Sequence, residues 1–271
     1  MPTGAVPVPP VPFPFVAVVA PQRRSLLGWL DPGPPLLETE LPPQGPEGVE
    51  QLGHRTYVGG LWDQMGEHQF RFLLRRGLRP EDVLLDIACG SLRLGVKVIP
   101  YLQPGHYLGV EKEGLLLERG VQQELGPELM ERYRPRLLQN EAFAFELLAT
   151  PVDVAIAQSL FTHLTPEAIG RCLRQLRPWL KPSGVFYATF FESSRSQRRR
   201  LRQSHDHASF LYTRAEMKAF GEREGYTVEY IGNWDHPRQQ VMVAYRLPPG
   251  MGEFSEPAVA ATAASGPPAD A

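Results

Sequence analysis

The chain has 271 residues, with 28 Lys and Arg against 30 Asp and Glu, a formal net charge of −2 and 42% hydrophobic residues. That length supports one good-sized core, and the balanced charge excludes a global attraction to nucleic acid or to anionic lipid. The two cysteines, Cys89 and Cys172, are too widely separated to suggest a disulfide framework or a metal site, so the chain is expected to be cytoplasmic, with no metal.

Residues 1–50 are punctuated by Pro2, Pro7, Pro9, Pro10, Pro12, Pro14 and Pro21, and by further prolines through Pro46. These break every apolar run, so neither a signal-peptide helix nor a membrane span is expected there. The stretch reads as an extended, mostly disordered arm. Residues 248–271, rich in Ala, Pro and Gly, read as a second loose tail. One folded domain is left, over 51–247.

Within that domain the pattern alternates. Trp62, Met65, Gln69, Phe72 and Leu73 recur at helical spacing, which predicts a helix over 60–76 with Gly77 as its stop. An apolar run over 83–88 predicts a strand covered on both faces, followed by a tight turn of small residues and a helix over 91–102. A second strand is expected at 106–111, helices at 114–124 and 127–134, and a short third strand near 136–140. The fourth strand, 152–158, precedes a helix with Thr165 as cap and Pro166 and Glu167 in its first turn, running to 180. A fifth strand follows at 184–190, then an irregular basic stretch and a helix beginning after Thr213.

The last two strands, 226–231 and 240–246, are joined by only residues 232–239. A parallel crossover needs about a dozen residues or more, so this pair must be an antiparallel hairpin. The expected architecture is α/β: an open, mostly parallel, seven-stranded sheet with helices on both faces and an antiparallel last strand, a Rossmann-like arrangement.

The turn after the first strand, Asp86-Ile87-Ala88-Cys89-Gly90-Ser91-Leu92-Arg93, is the build of a nucleotide-type cofactor site. Together with the terminal hairpin it resembles the first motif of the class I S-adenosylmethionine-dependent methyltransferases, over residues 57–247. Ala88 and Leu92 stand at two of that motif's three usual glycine positions. The run Cys89-Gly90-Ser91-Leu92-Arg93, with Tyr57-Val58-Gly59-Gly60 ahead of it, is similar to a subgroup of small bacterial members. The resemblance implies the methyltransferase fold and S-adenosyl-L-methionine as cofactor.

Glu111 ends the second strand 21 residues after Gly90, where an acid can hydrogen-bond ribose hydroxyls; otherwise it is a solvated acid at a strand end. Asp86 is expected to order the turn and to reach the ligand's amino group through water. Arg93 could grip a carboxylate in a bidentate contact or be a surface arginine. The resemblance implies that Tyr57, Gly59 and Gly60 fold over the cofactor, that Glu141 contacts the adenine amino group and that Gln158 lies beside the methionine arm.

Ligands of such sheets bind beyond the carboxyl ends of the strands, so the loops around 158–163, 192–212 and 232–238 form the acceptor rim. His163, Glu192 and His236 are the candidate general bases there, His163 with the alternative of a purely structural role. Arg195, Arg198, Arg199, Arg200 and Arg202 form the one strongly basic run, either a solvated loop or an attraction for an anionic substrate, with nucleic acid as a less favoured partner. His205-Asp206-His207 is too short for a metal site.

The expected activity is in-line methyl transfer to a small molecule. A nicotinamide-dependent oxidoreductase is the rival enzyme, disfavoured because Gly90-Ser91-Leu92-Arg93-Leu94-Gly95 departs from a full dinucleotide fingerprint. A non-catalytic binding or scaffold protein on the same fold is the other.

Overall fold

The computed structural model describes residues 41–196 and 203–250. Most of the Pro-rich arm, the tail beyond residue 250 and residues 197–202 of the basic run, including Arg198, Arg199, Arg200 and Arg202, lie outside the described residues.

Among the described residues eight strands form the sheet: β1 (Leu84–Ile87), β2 (Tyr107–Glu111), β3 (Arg136–Gln139), β4 (Val152–Ala157), β5 (Leu180–Glu192), β6 (Leu211–Tyr212), β7 (Thr227–Asn233) and β8 (Val241–Arg246). Their order is β3-β2-β1-β4-β5-β8-β7, with the two-residue β6 added beside the end of β5. β1 to β5 run parallel, and β8 is antiparallel to both β5 and β7. The sequence expectation of seven strands ending in a hairpin is met, and β6 is the addition. The strand order reverses between β1 and β4, which opens a crevice at their carboxyl ends.

β1 and β2 are buried at every position, because neither face of these central strands meets water. Alternation along β1 divides the core. Leu85 and Ile87 join Phe161, Cys172, Phe186 and Tyr245 on one side, and Leu84 joins Met65, Phe72, Tyr107 and Trp234 on the other.

Among the described residues eight α-helices surround the sheet: α1 (Gly45–Leu52), α2 (His54–Tyr57), α3 (Trp62–Arg75), α4 (Gly95–Val98), α5 (Gly114–Arg119), α6 (Gly126–Tyr133), α7 (Pro166–Leu176) and α8 (Arg214–Arg223). α7 starts as its signals predict, with the Thr165 side chain accepting the N–H of Ala168. It ends at Leu176 and not at 180, in a 3-10 turn over Arg177–Trp179, since Pro178 cannot continue the ladder. α8 opens with a full capping box between Thr213 and Glu216.

Three departures matter for the site. The helix expected over 91–102 is only α4, because Leu92 adopts a left-handed φ of 68° that breaks the first turn and Pro100 closes the far end. The helix expected over 114–124 passes into a π-helical turn, Gly120–Leu125. Gly120 permits it to lie against the Ser91 backbone, where an added Cβ would come within 2.7 Å of the carbonyl. The stretch read as an arm, 1–50, ends in a helix, since α1 begins at Gly45 and runs on into the domain, and α1 and α2 lie across the crevice.

Candidate functional site

The floor of the crevice is the turn between β1 and α4. Ala88, Gly90 and Leu92 have φ of 59°, 57° and 68°, so the three alternate positions of the motif are all left-handed, although two of them are not glycine. Such backbone costs about 1–3 kcal/mol per non-glycine residue and persists only where the surroundings enforce it. Here Leu92 is wholly buried. Gly66 lets α3 press on Arg93, whose carbonyl would sit 2.6 Å from a Cβ at that glycine.

Glu111 closes the floor on the β2 side. Its carboxylate accepts the N–H of Gly90 at 2.9 Å, of Lys112 at 2.9 Å and of Glu113 at 3.1 Å. Burial raises its pKa, and the three N–H donors only partly oppose that rise. Glu111 is therefore no solvated strand-end acid. Asp86 is buried beneath the turn and accepts the Tyr107 hydroxyl at 2.8 Å. Burial pushes its pKa up to about 7, against the Tyr107 bond and the nearby charge of Arg93.

The wall beyond β4 is a polar network. The Gln158 carbonyl accepts Arg93 Nη2 at 2.6 Å and Gln69 Nε2 at 3.0 Å. Its amide nitrogen lies 2.5 Å from Ser159 Oγ and 3.1 Å from His236 Nε2. Ser159 in turn meets Gln240, and its N–H donates to Thr189 at 2.7 Å. His236 is buried, and burial, then the charges of Arg93, His68 and Arg238, push its pKa down to about 3. It stays neutral at physiological pH.

Two chain segments form a roof. The strap of α1, α2 and residues 58–61 is fastened at one end by Glu124 of the π-helical turn, which accepts His54 at 2.6 Å and Arg55 through both oxygens. At the other end Tyr57 donates to Asp206 at 2.6 Å, and Asp206 also pairs with Lys112. His207 adds a contact of 3.0 Å to the Pro43 carbonyl. Arg93 donates to the carbonyls of Val58 and Gly60, each at 3.0 Å, and Arg238 to that of Gly59 at 2.7 Å.

Roof and floor touch. Val58 Cγ1 lies 2.8 Å from where a Cβ on Gly90 would stand, so only glycine tolerates this closure. The cavity between Val58, Met65, Arg93, Gln158 and His236 holds about 20 Å³. That is room for about one water, whereas small-molecule sites run to about 300–1,000 Å³. A nucleoside-sized ligand enters only if the strap lifts.

Of the residues singled out in the sequence, Tyr57, Gly59, Asp86, Ala88, Gly90, Arg93, Glu111, Gln158 and His236 come together here. Glu192 does not: it is exposed at the far end of β5 and accepts the Tyr230 hydroxyl at 2.5 Å. Glu141 is exposed beyond Asn140, which spends its own side chain capping the N–H groups of Ala142 and Ala144. His163 is partly buried, with Nδ1 2.7 Å from the Ala208 carbonyl, and its pKa is lowered by burial. It braces the second roof segment. Residues not anticipated are Gln69, Lys112, Thr189, Asp206 and Gln240. A glutamine on the apolar stripe of α3 was the legible signal for Gln69; Asp206 and Lys112 had none.

Among the described residues no cluster of His, Cys, Asp or Glu could hold a metal ion, and no helix is long and apolar enough to cross a membrane.

No family model matches the chain. Solved structures do. Magnesium protoporphyrin IX methyltransferase from Synechocystis PCC 6803 with bound S-adenosylmethionine is 14% identical, covering 68% of this chain and 79% of that one at a TM-score of 0.52. The glycopeptide N-methyltransferase MtfA complexed with S-adenosylmethionine is 18% identical over 68% of this chain and 94% of its own, at 0.51. DesVI of Streptomyces venezuelae is 18% identical over 73% and 98%, at 0.50. At these identities the likeness speaks to architecture, and the architecture of this chain is the Rossmann-like methyltransferase fold.

Proposed function

We propose that the chain is an S-adenosylmethionine-dependent methyltransferase acting on a small molecule in the cytoplasm. One observation carries the reading: Glu111 and the Gly90 N–H meet at 2.9 Å at the carboxyl ends of β2 and β1, in a fold whose solved neighbours include methyltransferases with that cofactor bound. The residues fit such a ligand. Gly90 leaves a side-chain-free face, Glu111 is an acid at the ribose position, and Ser91 Oγ and Arg93 Nε are buried without partners. The Cys89-to-Arg93 run with Tyr57 to Gly60 supports the small bacterial subgroup, and the two free, buried cysteines suit a reducing compartment.

When bound, S-adenosylmethionine supplies a methyl group already activated by its sulfonium charge. Glu111 would hold the ribose, Gln158 and Arg93 the amino-acid end, and Tyr57 with Asp206 the cover that excludes water. Alignment in a closed, dry site is the principal contribution, worth on the order of 7–11 kcal/mol in favourable cases. His236, buried beside Gln158 and neutral, is placed to accept a hydrogen bond from a hydroxyl or amine acceptor, while its low pKa makes it a weak base. Neither Glu192 nor His163 shares that environment. An anionic acceptor is favoured by the guanidiniums of Arg93 and Arg238 on the same cavity wall.

Thermal unfolding with and without ligand tests the reading. S-adenosylhomocysteine at saturating concentration raises Tm, and NADH does not. A shift with NADH alone would replace this reading with the oxidoreductase, and no shift with either would leave a non-catalytic protein on the fold.

A further inference from the structure

Two guanidiniums converge on one short piece of backbone. Arg93 is partly buried at the base of the strap, and Arg238 stands exposed at the rim, on the β7–β8 connection. Among the described residues neither is ion-paired to a carboxylate. Asp86, whose negative charge acts on Arg93, is bonded to Tyr107 instead. Beside the Gln158 carbonyl on Arg93 Nη2, the two arginines hold three consecutive backbone carbonyls, those of Val58 and Gly60 on Arg93 Nη1 and that of Gly59 on Arg238. Arg93 Nε is enclosed and bonds nothing.

Neutral carbonyls satisfy hydrogen bonds but not charge. A carboxylate would do both, since its two oxygens match the guanidinium fork and its charge offsets the mutual repulsion of the pair. That repulsion is felt: burial first, then Arg238, pulls the Arg93 pKa down to about 10. The strap is also costly to hold. Gly59 and Gly60 take φ of 95° and 62° freely, but Leu61 beside them is held at a left-handed φ of 48°, which is strained for a residue with a Cβ.

We infer that Arg93 and Arg238 form a carboxylate-binding subsite, that the carbonyls of residues 58–60 fill it while the strap is down, and that a ligand's carboxylate takes their place when the strap lifts. The strap is thus an internal competitor. The carboxylate belongs to a small acceptor acid or to the amino-acid end of the cofactor. Only this choice of ligand rests on the proposed methyl transfer; the subsite itself does not.

Four probes separate these sources in calorimetric titrations of the full chain and of Arg238→Ala and Arg238→Lys: S-adenosylhomocysteine, 5′-methylthioadenosine (which lacks the carboxylate), benzoate and benzamide. Arg238 is exposed, so the variants should fold, which circular dichroism checks. Loss of a charge-assisted contact weakens binding about 10- to 100-fold. If S-adenosylhomocysteine loses that factor in Arg238→Ala and 5′-methylthioadenosine does not, the carboxylate is the cofactor's. If benzoate binds, benzamide does not, and benzoate alone weakens in the variant, it is the acceptor's. Arg238→Lys recovers part of either loss, because charge returns without the fork. Benzoate binding without any S-adenosylhomocysteine binding would support the subsite while removing the methyltransferase reading. Equal affinities of all four probes for the full chain and Arg238→Ala would overturn the subsite.

Discussion

Tyr57 donates its hydroxyl to Asp206 at 2.6 Å, joining segments 149 residues apart in sequence over the carboxyl ends of β1 and β2. The same hydroxyl accepts the Gly45 N–H at 3.0 Å, so one phenol ties both roof segments to the start of α1. The closed site depends on this contact as much as on its floor.

Tyr57→Phe removes a hydrogen bond to a charged group, worth about 1.5–3 kcal/mol in general. Global stability falls by that amount or less, since the roof unfolds more easily than the core. The expected signature is local: amide exchange of residues 54–60 accelerates at least tenfold while the amides of β1 and β4 keep their protection. Uniform acceleration across the sheet would refute a separable roof.

Asp86 and His236 impose opposite pH dependences. Asp86 has a folded pKa of about 7, above its unfolded value of 3.8, so between those values the unfolded chain has lost a proton that the folded one keeps. Stability from this group therefore falls as pH rises through that window, by on the order of 4 kcal/mol in all. His236 has a folded pKa of about 3, below its unfolded 6.5, so the unfolded chain binds the extra proton and stability rises with pH over nearly the same range. The two slopes oppose each other in the natural chain. Asp86→Asn removes the falling one, so denaturant unfolding should show the variant gaining on the natural chain steadily from pH 4 to pH 7. A constant difference across that range would mean Asp86 ionises normally.

Ala88 and Leu92 carry the same left-handed backbone but predict opposite outcomes. Ala88→Gly relieves strain and loses almost no packing, a gain of about 0.5–1 kcal/mol. Leu92→Gly also relieves strain but empties a fully buried position, a net loss of about 1–4 kcal/mol. Urea unfolding of both variants checks the contrast, and a stabilised Leu92→Gly would contradict it.

His236→Ala should leave S-adenosylhomocysteine affinity within about threefold while lowering transfer to a hydroxyl or amine acceptor by about 3- to 10-fold, the loss of one positioning hydrogen bond. His236 stays neutral down to about pH 3, so kcat/KM should show no inflection near pH 6.5. An inflection below pH 6.5 that is lost in His163→Gln would shift the base to His163, whose pKa burial lowers.

Much of this was legible in the sequence because it is written in local patterns. Val83 to Ile87, the Thr165-Pro166-Glu167 start and the eight residues between the last two strands each fix one element by spacing alone, and together they determine the sheet. Gly90 and Glu111 followed from the same register. The shortened α4 was not legible, since a Leu92 with positive φ looks in sequence like an ordinary helix residue. Nor was the roof. Tyr57 with Asp206, Arg55 with Glu124 and Arg238 with Gly59 are long-range pairs between surface-type residues, and no periodicity encodes them. Glu192 and Glu141 looked functional by their place at strand ends, but strand-end position does not tell whether a side chain turns toward the crevice or toward water.

Isothermal titration of S-adenosylhomocysteine into the natural chain and into Glu111→Ala addresses the central claim most directly. The account predicts saturable one-to-one binding to the natural chain and at least a tenfold loss in the variant, with circular dichroism showing both folded. Absence of binding to the natural chain, or equal binding to both, would contradict it.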